Sequence, residues 1–233
     1  VEAATRPGRR RWLGLAAGAA ISGSILLAGH TQAAYIVFSG AALYALVRIL
    51  PDLRRRDWSA GVSGLAAFLA LGLAGAGLAA VQLLPTLELS GLSVRSGGLP
   101  YNEAASFSLK PTLIFKAFLP PYLWQPPFSE YVAYVSLAGL VLAGLGTWAI
   151  VRKWRQGASQ RAAPALALAV LGLFLAFGAH NPVYYVLYRL VPGFSLFRAP
   201  ARWLLLYAFG TAILAGVGLQ WLSRTWSPRP RLR

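Results

Sequence analysis

Few residues in this chain could do chemistry, and most of them stand at helix ends. Glu88, Glu103 and Glu130 lie in or beside a long break, rich in proline and aromatic residues, in an otherwise apolar sequence. A carboxylate there could act as a general base toward a hydroxyl group. Glu88 is the best placed of the three, because it follows an apolar run beside Pro85. Glu130 reads equally well as a residue favoured by a helix dipole, and Glu103 as a solvated one. Arg198 and Arg202 stand four apart in Phe197-Arg198-Ala199-Pro200-Ala201-Arg202-Trp203. Their guanidinium groups could hold a phosphate or pyrophosphate through charge-assisted bonds, or snorkel to ordinary phospholipid headgroups. Arg95 could assist from the loop. His30, Gln32 and His180 add polar groups, and Tyr101 belongs to a set of aromatics expected at the outer interface. The competing reading is that helix ends are polar because they meet water.

Other chemistries are excluded or unsupported. The chain has no cysteine, which removes disulfides, thiol catalysis and cysteine-ligated metals. Two histidines and Glu88 raise the idea of a divalent metal, but no ligand-pair spacing supports one, and no cofactor is expected. No serine sits in a nucleophile elbow, and no glycine-rich phosphate loop precedes a helix.

The elements that must position these residues are apolar runs. Of the 233 residues, 57% are hydrophobic and 12% charged, about half the charge of a typical soluble domain. Runs at 12–29, 33–50, 61–84, 131–151, 162–179 and 203–222 are each long enough to cross a hydrocarbon core of roughly 30 Å. The expectation is an all-α membrane protein, a single transmembrane domain over 1–233 with six transmembrane helices. The loop 85–130 and the segment 180–202 lie between runs. Asn181 and Pro182 read as N-cap and first helical residue, with Val183, Val186, Leu187 and Leu190 on one face. That predicts a short interfacial helix, and Pro111 to Leu119 predicts a second.

A net charge of +16 would suit nucleic acid, but the basic residues cluster at the ends of apolar runs. Segments 1–11, 48–58, 152–161 and 223–233 hold four basic residues each, or 16 of 22. This places both ends of the chain in the cytoplasm and the long loop outside, with membrane lipids and no nucleic acid as partners. Asp52 and Asp57 sit among the cytoplasmic arginines as charge partners.

Gly29-His30-Thr31-Gln32 with Tyr35, the stretch Gln82 to Arg95, Glu130-Tyr131, and Val191 to Trp203 resemble the YfhO-type bacterial membrane proteins of the GT-C glycosyltransferase class. The resemblance covers most of the chain. It implies a GT-C-like fold in the bacterial cytoplasmic membrane and a polyprenyl-phosphate-linked sugar as donor. It also implies inverting transfer to a hydroxyl of an envelope polymer, lipid or protein. The catalytic acid in such enzymes lies in the first extracytoplasmic loop, and no acid stands around Gly29 to Ala33. With Val1 as the first residue and no methionine, the expectation is a piece whose first helix and catalytic loop lie upstream. The rival readings are a transporter or flippase of lipid-linked sugars and a non-catalytic membrane scaffold. A transporter would need ionisable groups at mid-membrane or broken helices in related halves.

Overall fold

The computed structural model describes residues 9–54, 56–93, 96–152 and 162–226, apart from the side chains of residues 10 and 52. Arg95 therefore lies outside the described residues, among which every regular element is helical. In chain order the α-helices are α1 (Arg9–Leu27), α2 (Thr31–Arg54), α3 (Trp58–Leu78), α4 (Ala80–Gly91), α5 (Tyr101–Ala104), α6 (Ile114–Ala117), α7 (Leu137–Arg152), α8 (Ala163–Ala176), α9 (Pro182–Leu190) and α10 (Leu204–Trp226). They fall into two compact units. Unit 1 is Val1–Pro100 with Pro192–Phe197, and unit 2 is Tyr101–Val191 with Arg198–Arg233.

Among the described residues, three helical stretches are long and apolar enough to cross a membrane: Thr31–Pro51, Trp58–Leu78 and Pro200–Trp226. Arg11–Leu27, Leu137–Arg152 and Ala163–Ala176 are apolar but shorter. The chain is thus an all-helical protein of membrane type.

In unit 1, α3 packs on α1 and α2. Gly18 of α1 leaves room for Leu71, and Gly61 and Gly64 of α3 admit Leu53 and Ile49. The apolar run expected to continue from 61 to 84 breaks at Ala79, where α3 ends and α4 begins. Gly72, Gly75 and Gly77 weaken helical propensity just before the break. Beyond it, Pro85 inside α4 cannot donate to the preceding turn. Thr86 Oγ1, next in the chain, donates to the Gln82 carbonyl at 2.7 Å.

In unit 2, α10 is the centre, with α7 and α8 packed against it. The α7 contact brings backbones together, since a Cβ on Gly146 or Gly218 would meet the carbonyls of Leu214 or Leu142. On the α8 side, Gly210 lies against Ala165 and Ala169, and Gly172 against Trp203 and Tyr207.

The short helix expected after Asn181 forms as α9, with Asn181 Oδ1 accepting from Val183 N at 3.0 Å. The second one does not form over its whole length. Pro111–Leu113 is a 3-10 turn and Ile114–Ala117 a single α turn, halted before Pro120 and Pro121. So short a stretch, closed by two prolines, cannot repay helix nucleation. The expected run at 131 likewise starts its helix later, at Leu137, after an irregular approach that turns at left-handed Ser136 (φ 67).

Candidate functional site

The second half of the long loop is built into unit 2 by its backbone. Leu109 N donates to Ala176 O at 2.9 Å and Ala133 N to Ala117 O at 2.8 Å. Ser108 Oγ donates to Ala105 O at 2.6 Å and accepts from Ala179 N at 2.8 Å, tying the loop to the end of α8. Phe107 (φ 57) and Ala199 (φ 62) turn with left-handed backbone. Both positions cost a non-glycine residue roughly 1–2 kcal/mol. They hold two loops together, because Ala201 N donates to Phe107 O at 3.4 Å.

This framework presents the ion pair of Arg202 and Glu130. Arg202 sits in the 3-10 turn Pro200–Trp203, whose other members Pro200, Ala201 and Trp203 are buried, and the turn leads directly into α10. Glu130 sits in the turn Ser129–Tyr131, anchored by buried Tyr131. Phe128 beside it stacks on Phe107 at 4.4 Å and meets Tyr131 edge-on at 5.4 Å. Arg202 Nε donates to Glu130 Oε2 at 2.6 Å. The side chains are 31% and 32% exposed, so water reaches both charges. A pair this open is worth about 0.2–1 kcal/mol, well short of a fully buried one. Arg202 and Glu130 were expected separately as substrate-binding residues, and the fold joins them. The pair can hold an anion through the guanidinium and offer a carboxylate to a hydroxyl.

The remaining expected residues are placed as follows. Arg198 is exposed in unit 2, just before left-handed Ala199, so it does not continue the helical register of Arg202. His180 is exposed at the end of the turn Gly178–His180. Tyr101 opens α5, and its ring meets Tyr185 at 4.9 Å and Tyr188 at 5.3 Å, both on α9. Burial first, and the neighbouring Tyr185 second, push the Tyr101 phenol above its ordinary range. Arg189 donates to Tyr185 Oη at 3.1 Å and lies over the same ring.

In unit 1, His30 is exposed and its Nδ1 accepts from Ala33 N at 3.1 Å, so it caps the start of α2. Gln32 is buried. Glu88 is exposed on α4, without a surrounding framework comparable to that of Glu130. Asp57 was expected to pair with arginines, but it caps α3, accepting from Ala60 N at 3.2 Å and Ser59 Oγ at 2.9 Å. A helix start leaves backbone N–H groups without intrahelical partners, and a carboxylate two or three residues away is placed to accept from them.

Sequence reasoning missed Phe107 and Ser108, which hold the loop in place. A serine inside an apolar loop segment, Phe107-Ser108-Leu109, is the one local signal for them. Among the described residues no three His, Asp or Glu side chains gather where they could hold a metal ion. No family model, curated protein or solved structure matches the chain.

Proposed function

We propose that the chain is part of an integral membrane glycosyltransferase, taking a sugar from a polyprenyl-phosphate donor to a hydroxyl acceptor of the cell envelope. The observation that carries this reading is the Glu130–Arg202 pair, held half-open where a long apolar helix begins. A polyprenyl-phosphate donor needs a cation at the membrane boundary for the phosphate and an aromatic wall for the sugar. It also needs a carboxylate to take a proton from the acceptor. Arg202, the Phe107–Phe128–Tyr131 cluster and Glu130 are of those kinds. The buried indole N–H of Trp124 has no partner among the described residues, and a sugar hydroxyl would satisfy it. Glu130 takes precedence over Glu88 here, because its turn is fixed by packing.

In this reading the three shorter apolar helices also cross, giving six spans with both ends cytoplasmic. A 17-residue helix such as Arg11–Leu27 is about 25 Å long, which a modestly thinned bilayer accommodates. A cysteine introduced at Ser96 should then be labelled from outside intact cells and one at Ser159 should not. Reversed labelling would overturn the topology.

The activity test is transfer of labelled sugar from a polyprenyl-phosphate donor by the protein in proteoliposomes. Arg202→Ala should lower kcat/KM about a hundredfold, the scale of losing one preorganised charge donor. Unchanged kinetics would remove Arg202 from the reaction and the reading with it.

A further inference from the structure

We propose that Glu130 is an internal competitor for Arg202: its carboxylate occupies the position of a phosphoryl oxygen, and the bound anion must displace it. This rests on the reading of Arg202 as the phosphate receptor and names how that site is regulated. The contact runs from Nε to a single carboxylate oxygen at 2.6 Å, the same short, charge-assisted bond a phosphate oxygen would make. A carboxylate and a phosphoryl oxygen cannot both take the one Nε–H, and their like charges repel, so the two compete for that position. The exchange is small in structural terms. Tyr131 and the Phe107–Phe128 stack fix the backbone on either side of Glu130, and the carboxylate already borders water. Only side-chain torsions have to change for it to leave. Arg202 stays where it is, since Pro200, Ala201 and Trp203 around it are buried.

Displacement has a consequence for chemistry. A freed Glu130 carboxylate is available to an acceptor hydroxyl only after the anion has arrived, so one event loads the donor and releases the base.

The test is equilibrium binding of a fluorescent polyprenyl monophosphate to the whole chain in phosphatidylcholine nanodiscs. Glu130→Gln should bind about two- to fivefold more tightly than the wild type, the gain from removing an exposed ionic competitor. Glu130→Asp, one methylene shorter, should move the same way by less. Arg202→Ala should abolish the gain in either background. Weaker or unchanged binding by both Glu130 variants would overturn the competition and show that Glu130 serves to position Arg202. Unaltered binding by Arg202→Ala would overturn the phosphate-receptor reading itself, which separates the two failures. Inorganic phosphate added as a second ligand distinguishes a site for the phosphoryl group alone, which it would block, from one requiring a lipid-borne phosphate. A measurement needing no variant is the Arg202 Nε–H resonance, which should shift when the anion is added. A stationary resonance at saturating ligand would exclude displacement.

Discussion

In unit 1 Gly18, Gly61 and Gly64 face the side chains of Leu71, Leu53 and Ile49, whereas in unit 2 the helices meet backbone to backbone. Gly23 and Gly75 of unit 1 also approach peptide groups, and Gly72, Gly77 and Gly91 meet nothing within 4 Å. Gly146, Gly172, Gly210 and Gly218 of unit 2 all press on peptide groups. Burial follows the same division. The Pro200–Trp226 span is 44% buried, against 22% for Thr31–Pro51 and 28% for Trp58–Leu78. In unit 2 α10 is packed by both α7 and α8 and buries the larger share of its span, although Leu205, Phe209 and Ile213 stay exposed as Leu65, Leu69 and Leu73 of α3 do. The ion pair belongs to the unit with the more buried helix. A side chain can be held at a reacting position only by neighbours whose own places are fixed.

Glycine substitution breaks this comparison most sharply. Gly218→Ala puts a methyl group into the Leu142 carbonyl, and backbone cannot yield as a leucine side chain can. The expected loss is about 3 kcal/mol or more, at the top of the range for overpacking. Gly72→Ala in α3 meets nothing within 4 Å and should stabilise by roughly 0.5–1 kcal/mol through helix propensity. Thermal unfolding followed by tryptophan fluorescence in a fixed detergent would measure both. Equal effects would mean that the two units do not differ in the way their helices meet.

The loop attachments give a smaller contrast. Ser108→Ala removes a donor and an acceptor at once and leaves Ala179 N unpaired, which should cost about 1–3 kcal/mol. In unit 1, Tyr35 Oη donates to Pro192 O at 3.1 Å while its ring packs on Phe194 and Phe197. Tyr35→Phe keeps the ring contacts, so about 0.5–1.5 kcal/mol is at stake. Hydrogen exchange at Ala179 should accelerate in the first variant. If Tyr35→Phe proved the more damaging, the segment 192–197 would be tied more firmly than the long loop.

How far these features could be read in advance follows from their range along the chain. Apolar runs located α2 and α10, and the Asn181-Pro182 start located α9, to within a few residues, because a helix satisfies its backbone locally and announces its ends through caps and prolines. The division at Ala79 was hidden, since the run stays apolar across it and only Gly75 and Gly77 hint at a change. His30 is a cap of a type outside the usual serine, threonine, aspartate and asparagine, so it looked like a site residue. The Glu130–Arg202 pair was beyond local reasoning altogether. Its members are 72 positions apart, and what joins them is left-handed backbone at Phe107 and Ala199, where neither residue type advertises such a turn.

The smallest predicted effect concerns how each unit starts its helices. Unit 2 caps α7 and α9 with Ser136 and Asn181, which do not titrate, while unit 1 caps α3 with the Asp57 carboxylate. The Ala60 N–H bond first, and the Ser59 hydroxyl second, hold that carboxyl below its usual range. A lowered folded value means that the stabilisation is complete above the unfolded value, about 3.9, and is lost as pH falls through the folded one. Asp57→Asn keeps an acceptor for the cap and removes the titration. Amide exchange at Ala60, taken as a ratio of wild type to Asp57→Asn, should be level above about pH 5 and change below about pH 4. The Gly139 amide, which Ser136 Oγ accepts at 2.9 Å, should give a level ratio throughout. A change at both amides would mean that acid loosens the whole protein, and a change at neither would mean that the carboxylate bond adds nothing to the cap. Only the expected split makes the start of α3, and hence unit 1, the acid-sensitive side of the comparison.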